Sequence, residues 1–333
     1  MPDDSPVQPH PVAGKSPLSR SYQTEALRLL QRLQELRNLP ALPGVSYSEE
    51  IKKIQDRLNS LRNREPSAKA WQAVQVARHQ ERPQTLDYLR IAVPDFLELR
   101  GDRLHGDDRA VIGGLGSVGR RRVMFIGHQK GHTLKERQEH TFGMARPEGY
   151  RKAMRLARMA EKFGLAVVTF IDTPGAYPGK EAEEGGQAGA IARSIEVFAG
   201  LRVPTVAVVI GEGGSGGALA LGVTDRVFML ENSVYSVISP EGCAALLWRD
   251  AAEAPRAAEA LRLTASDLLD LHLIDAVIPE PPGGAHLDAN ATVRRVFHEI
   301  QLALNDLERS APSARLQNRR QKFLHMGAFT SLE

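Results

Sequence analysis

Two glycine-rich segments each follow a run of apolar residues and precede a helical pattern. They are Asp172-Thr-Pro-Gly-Ala-Tyr-Pro-Gly179 after residues 169–171, and Gly211-Glu-Gly-Gly-Ser-Gly-Gly217 after residues 206–210. Backbone N–H groups at a strand-to-helix junction have no intrahelical acceptor and sit at the positive end of the helix dipole, so such a junction is ready to receive an anion. Glycine is needed there wherever φ is positive or a ligand must approach the backbone itself. Tight strand-to-helix packing without a ligand would explain either segment alone.

The second segment also fits two nucleotide and hydrolase patterns. Gly211, Gly213 and Gly216 match GxGxxG with Glu231 twenty residues on, but the helix expected at 217–222 is short for a dinucleotide-binding unit. Gly213, Ser215 and Gly217 match the GxSxG elbow, with Asp275 and His286 following in hydrolase order. A serine between Gly214 and Gly216 is equally the small residue that a tight turn permits. His128, His132 and His140 invite a metal reading, yet Gly127 and Gly131 argue for a loop and no HExxH occurs. Asp107-Asp108 and Glu181, Glu183 and Glu184 are explained by solvated turns and a helix first turn. The basic clusters Arg120-Arg121-Arg122 and Arg319, Arg320 and Lys322 read as solvated faces, with phosphates or an acidic partner as the alternative.

The elements that must position these segments come from periodicity. Short β-rich runs at 110–118, 123–127, 165–171, 203–210, 226–230, 234–238 and 273–278 alternate with helical stretches at 149–163, 185–199 and 288–307. Continuously apolar strands between helices predict an α/β body buried on both sheet faces. Upstream, Ala26, Leu29, Leu33 and Leu36, then Ile51, Ile54, Leu58 and Leu61, line two helical faces around the breaker at 40–44, and Ser46 with Glu49 fits a capping box. The predicted organisation is a disordered leader over 1–20, which holds five prolines in its first seventeen residues, a helical hairpin arm over 21–66 and a body over 67–333.

At 333 residues, with 42% hydrophobic and 25% charged residues, the composition is that of a soluble globular protein. No apolar run approaches a membrane span. A net charge of +3 does not announce a nucleic-acid binder. Cys243, the single cysteine, cannot form an internal disulfide or a cysteine-rich zinc site. The start, with Asp3 and Asp4 and no apolar core, is not a secretory signal, so the cytoplasm is the expected location.

The chain resembles the α-subunit family of the bacterial acetyl-coenzyme A carboxylase carboxyltransferase from about residue 70 to 327. The carriers are Ala70-Trp-Gln, Arg82-Pro with Thr85-Leu-Asp-Tyr88, Gly101-Asp-Arg103, Ile126-Gly-His-Gln-Lys-Gly131, Pro147-Glu-Gly-Tyr-Arg-Lys152, both glycine segments with their flanks, Tyr235-Ser-Val-Ile-Ser-Pro-Glu-Gly-Cys243 and Ile278-Pro-Glu-Pro281. This resemblance implies the crotonase fold, a spiral of ββα units. It implies an enzyme subunit that works with a separate β subunit as α2β2, moving a carboxyl group from carboxybiotin on a biotin carboxyl carrier protein to acetyl-coenzyme A. The product is malonyl-coenzyme A for fatty-acid synthesis. The family's zinc ribbon belongs to the β partner, and no metal is expected in this chain.

By the same resemblance the peptide N–H groups of Gly216 and Gly217 form an oxyanion hole for the biotin carbonyl. Gly213, Gly214 and the Gly175-Ala176-Tyr177 loop shape the carboxybiotin pocket, and no side-chain nucleophile is needed. An oxyanion donor of this kind contributes roughly 3 to 4 kcal/mol. The biotin urea anion takes the proton from acetyl-coenzyme A. After Gly179 the sequence departs from the family pattern: Lys180, Glu181 and Gly185 precede Gly186-Gln187, and a usual arginine is lost. The alternatives are another crotonase-fold acyl-coenzyme A enzyme, a hydratase or decarboxylase subunit, and a non-catalytic scaffold docking through the arm.

Overall fold

The computed structural model describes residues 47–62 and 66–327, together with positions 28, 29, 32, 33, 35 and 36. The expected leader and Ser46 lie outside the described residues. The chain divides into two compact units, Met1–Pro66 and Ser67–Glu333. In the first, helix α1 (Ser48–Arg62) presents Ile51 and Ile54 to Leu29, Leu33 and Leu36, and Arg32 reaches Glu50 at 3.2 Å. The described part of the apolar faces read from 3.6-residue spacing, Leu29, Leu33, Leu36, Ile51 and Ile54, is therefore packed together, whereas Ala26, the breaker at 40–44 and the Leu58 and Leu61 side chains lie outside the described residues.

The second unit opens with helices α2 (Pro66–Ala77) and α3 (Thr85–Ala92), which periodicity leaves unassigned. A short strand β1 (Leu97–Glu98) leads to the hairpin β2 (Val111–Val118) and β3 (Arg121–His128). Its turn uses Gly119 at φ +59°, the left-handed region that glycine enters without strain. Then follow α4 (Leu134–Glu139), α5 (Pro147–Lys162), β4 (Ala166–Thr173), α6 (Lys180–Glu184) and α7 (Gln187–Gly200). They are succeeded by β5 (Thr205–Gly214), α8 (Ser215–Gly222), β6 (Arg226–Leu230), β7 (Val234–Ser236), α9 (Pro240–Trp248), α10 (Ala254–Ala260) and α11 (Ala265–Asp270). The chain closes with β8 (Ala276–Ile278), α12 (Ala289–Leu307) and α13 (Pro312–Leu324).

The strands form one sheet in the order β1-β2-β3-β4-β5-β6-β8, with β7 paired to β5. The β1-β2-β3 edge is antiparallel, and every pairing from β3 onward is parallel. Because side chains alternate across a strand, each apolar run feeds two cores at once. Met124, Ile126, Val167, Ile171, Ala207 and Val209 pack under α5, α7 and α8. Val123, Phe125, Val168, Phe170, Val206 and Val208 pack under α3 and α12. Among the described residues no helix is long and apolar enough to cross a membrane.

Two expectations are corrected here. Residues 211–214 are not a loop: β5 runs through Gly214 because Glu212–Gly214 find a ladder partner in β7, and α8 begins at once with Ser215. Nor are the basic clusters plain solvated faces. Arg319 is 2% exposed and holds Asp225 at 2.8 Å through both Nε and Nη2, while Nη1 donates to the carbonyls of Phe198 and Leu201. Lys322 binds Asp275, and Arg121 and Arg122 pair with Glu308 and Asp95. Arg120 and Arg320 do face solvent.

Candidate functional site

Parallel pairing of β4 and β5 brings the two glycine segments together at the carboxyl edge of the sheet, where open α/β sheets place ligands. A Cβ on Gly214 would fall on the Pro174 carbonyl, and one on Gly217 would lie 2.8 Å from both Ala176 N and Gly175 C. The backbones thus touch with no room for a side chain, which is why these two positions are glycine. Gly216 meets only Ile191 at 3.4 Å, so packing alone does not demand glycine there. Gly213 faces the Tyr235 ring.

The N-cap of α8, Gly214, supplies no side-chain acceptor, so the peptide N–H groups of Ser215, Gly216 and Gly217 open the helix without an intrahelical partner. They carry the positive end of the dipole toward the turn at 174–176. Ser215 is exposed at φ +49°, the strained junction of an elbow.

The first segment is braced on its outer side. Tyr177 N donates to Ala145 O at 3.0 Å, and the Gln187 amide donates to the carbonyls of Ala145 and Tyr177, both at 2.9 Å. The Tyr177 hydroxyl donates to Glu181 at 3.0 Å, and the Arg146 guanidinium lies 4.7 Å from the ring centre. The departure after Gly179 therefore builds α6, whose Glu181 helps to seat Tyr177, while Gln187 keeps the loop tied to residue 145.

Beneath the glycines lies a charged cluster that pattern reading missed. Lys130 Nζ lies 2.6 Å from Asp172 Oδ1 and 2.7 Å from Glu212 Oε2, and Arg78 joins Glu212 at 2.6 Å and Glu241 at 2.5 Å. Burial alone would raise the Glu212 carboxyl, but Lys130 and Arg78 bring it down to about 2. Burial likewise works against the Lys130 ammonium, and Asp172 and Glu212 raise it above the usual lysine value. Each contacting pair in the cluster is 40 or more positions apart, so no local spacing brings the charges together. The signals in the sequence were an uncompensated Asp172 and Glu212 at the ends of otherwise apolar strands, and the presence of Lys130, Asp172, Glu212 and Glu241 within the segments that carry the family resemblance.

The other candidates resolve into structural partners. Asp275 is held by Lys322 and accepts from Val227 N, and His286 stacks on His79 with ring centres 3.8 Å apart, so neither completes a triad with Ser215. Glu231 sits in the turn after β6 and accepts from Glu280 N at 3.1 Å. Asp108 is buried and accepts from Ala110 N and Arg146 N, so the solvated-turn reading fails there, whereas Asp107 remains exposed while binding Lys152. Among the described residues no group of three His, Cys, Asp or Glu is placed to hold a metal ion.

His128 is wholly buried, which pushes its imidazole down to about 3, and His140 contacts the Arg109 carbonyl. His132 lies between Asp87 at 2.8 Å and the Gln80 carbonyl at 2.9 Å, and the hydrogen bond to Asp87 raises it to about 9. A raised pKa means that this stabilisation is full below the unfolded value of 6.5 and is lost as pH climbs through 9. The wild-type thermal midpoint should therefore fall across that interval by more than that of His132→Gln. Equal slopes for the two proteins would refute the assignment. The pair is partly exposed, so the difference is a small one.

A family model described as acetyl co-enzyme A carboxylase carboxyltransferase-like matches residues 20–327. The chain belongs to this family. An acetyl-coenzyme A carboxylase carboxyl transferase subunit alpha of Thermus thermophilus is 50% identical over 309 residues, covering 92% of this chain and 98% of the relative. That of Gluconacetobacter diazotrophicus is 50% identical over 307 residues, covering 92% and 96%. Among solved structures, transcarboxylase 12S with methylmalonyl-coenzyme A and methylmalonic acid bound superposes with a TM-score of 0.55 at 18% identity, covering 70% of this chain and 44% of that one. A Pseudomonas malonate decarboxylase hetero-tetramer in complex with coenzyme A gives 0.53 at 19% identity, covering 65% and 86%. The carboxyltransferase-like body thus has the crotonase-type α/β fold, and the glycine contact lies within the span that the family model covers.

Proposed function

We propose that this chain acts as the α component of an acetyl-coenzyme A carboxylase carboxyltransferase, taking a carboxyl group from carboxybiotin on a carrier protein and placing it on acetyl-coenzyme A. The observation that carries this reading is the backbone contact of Gly214 and Gly217 with residues 174–176, which leaves the α8 amides without side-chain caps, in a chain half identical to subunits named for that activity. Carboxybiotin, when bound, supplies the labile carboxyl group and a ureido oxygen that becomes anionic.

The residues present suit such an oxygen. Gly216 and Gly217 donate their peptide N–H groups, fixed before reaction, so no reorganisation is needed as charge develops. Gly213 and Gly214 shape the pocket by letting β5 lie against the Tyr235 ring and the Pro174 carbonyl, where no side chain would fit. Gly175, Ala176 and Tyr177 form its wall, with Tyr177 held by Arg146, Glu181 and Gln187. No side-chain nucleophile takes part. A hydratase needs two carboxylates around one water, whereas Asp172 and Glu212 converge on the Lys130 ammonium and are buried.

In this reading the acetyl-coenzyme A site and the zinc ribbon lie on a β subunit, the assembly is α2β2 and cytoplasmic, and the biotin arrives on a carboxyl carrier protein. The leader over 1–20 and the arm over 21–66 are accessory to a body over 67–333. The test is malonyl-coenzyme A formation from a carboxybiotin donor with the chain alone, the β subunit alone and the two mixed. Activity in the mixture only is expected. Activity of this chain alone would place the acyl site here as well, and no activity in any arm would overturn the reading in favour of a hydratase, a decarboxylase subunit or a scaffold.

A further inference from the structure

The pairing of β4 with β5 slips just before the glycine contact. Ile171 pairs with Val209 and Thr173 with Gly213, so one residue of β4, Asp172, spans three of β5. Bulges of this kind re-aim the chain that follows them and are concentrated next to active sites. The backbone groups that the slip removes from the ladder are met by side chains. Glu212 N donates to Asp172 Oδ1 at 2.9 Å, and the Ile210 carbonyl accepts from Arg82 Nε at 2.6 Å. Gly211 has no side chain because the Asp172 carboxylate occupies that space.

This arrangement puts two carboxylates against each other in a place nearly closed to water: Asp172 is 4% and Glu212 9% exposed. Arg78 pairs with Glu212 from one side, and a second cation stands between the two carboxylates. Lys130, carried in from the loop after β3 and itself mostly buried, is that cation, and its backbone N–H is held by the Gln84 side chain at 3.2 Å. A buried ion cluster is a poor device for stability, since desolvation offsets most of the attraction. It is a good device for holding a geometry.

Resting on the oxyanion reading above, we propose that Lys130 is a positioning residue for carboxyl transfer: by bridging Asp172 and Glu212 across the slip, it sets how closely Gly214 and Gly217 approach the 174–176 backbone and hence where the Gly216 and Gly217 amides point. The chain from cation to amide is short. Asp172 precedes Pro174 by two residues and Glu212 precedes Gly214 by two, so a change in the carboxylate separation is passed directly to the touching backbones. Donor placement matters at the sub-ångström level, and displacement by about 1 Å costs on the order of a hundredfold.

The test uses the complete chain with its β subunit and compares Lys130→Met, Lys130→Arg and the charge-balanced double variant Lys130→Met/Glu212→Gln. The double variant removes one charge of each sign and so avoids leaving an excess buried negative charge, which Arg78 alone would have to offset, if the single change fails to fold. With rates normalised to folded, assembled protein, kcat is expected to drop about tenfold in the methionine variants with KM for acetyl-coenzyme A unchanged, and to recover in part in Lys130→Arg. Amide hydrogen exchange should rise in the peptides spanning 172–177 and 211–218 and stay as in wild type elsewhere. An unchanged kcat, or exchange that rises throughout the body, would overturn the proposal. If wild type itself transfers no carboxyl group while the exchange changes are as expected, the oxyanion reading fails and the bracing role of Lys130 stands.

Discussion

Gly217→Val is expected to lower carboxyl transfer by roughly a thousandfold while the chain still assembles with its partner. The branched side chain would press on Ala176 N and Gly175 C, each 2.8 Å from where its Cβ must lie, and on the Tyr150 hydroxyl at 3.0 Å. Either α8 or the 174–176 turn must then retreat, and the amides of Gly216 and Gly217 lose their aim together. Removing a single preorganised oxyanion donor costs about 10² to 10³ in kcat, so displacing two sets the scale. Gly216→Ala is the control, because the space beside it is open to ordinary contact with Ile191 and should hold a methyl group with little loss. Kinetics of both variants with the β subunit, beside a gel-filtration check of assembly, decide the matter. Wild-type rates in Gly217→Val would remove the site from this junction, and equal losses in the two variants would mean that the junction tolerates no side chain at all.

Arg319→Met should have the largest effect on stability, about 3 to 5 kcal/mol, because the methionine leaves Asp225 buried without its cation. Both partners are almost fully enclosed, at 1% and 3% side-chain exposure, and the guanidinium also serves the carbonyls of Phe198 and Leu201. The carboxylate keeps only the Thr205 backbone N–H and hydroxyl as donors. Urea or thermal unfolding of the isolated chain reads the loss, and Arg319→Met/Asp225→Asn should recover part of it because the unpaired charge is gone. A single variant within about 1 kcal/mol of wild type would contradict the picture of a desolvated pair.

The body was legible where one physical signal dominated. Runs such as 165–171 had to be strands because only a strand can bury consecutive β-branched residues on both faces, and β4 (Ala166–Thr173) is buried along its whole length. The junctions at 172–179 and 211–217 stood out because glycine in number marks close backbone approach, and the structure brings these two backbones into contact. What escaped were features made by distance in the chain. Helices α2 and α3 are short, at 12 and 8 residues, and what fixes them lies far off in sequence: α2 packs Ala70, Val74 and Ala77 against Val234 and Leu263, α3 ties Thr85 to the His128 carbonyl, and the turn between them sends Arg78 and Arg82 to Glu212 and the Ile210 carbonyl. Arg319 looks like one more surface cation because nothing near it names Asp225, 94 residues earlier. Residues 211–214 read as a loop because β7, the strand that keeps them in the sheet, comes about twenty residues later.

The lateness of Arg319 has a consequence for biosynthesis. A growing chain delivers Asp225, with β5 and β6 on either side of it, long before α13 exists. Until α13 docks, the Asp225 carboxylate at the start of the β5–β6 pair lacks the guanidinium that neutralises it in the finished body. Neutralising that end of the sheet is thus coupled to the synthesis of α13. A product cut short before residue 312 would carry every strand and both glycine segments and still lack the charge that lets its core close.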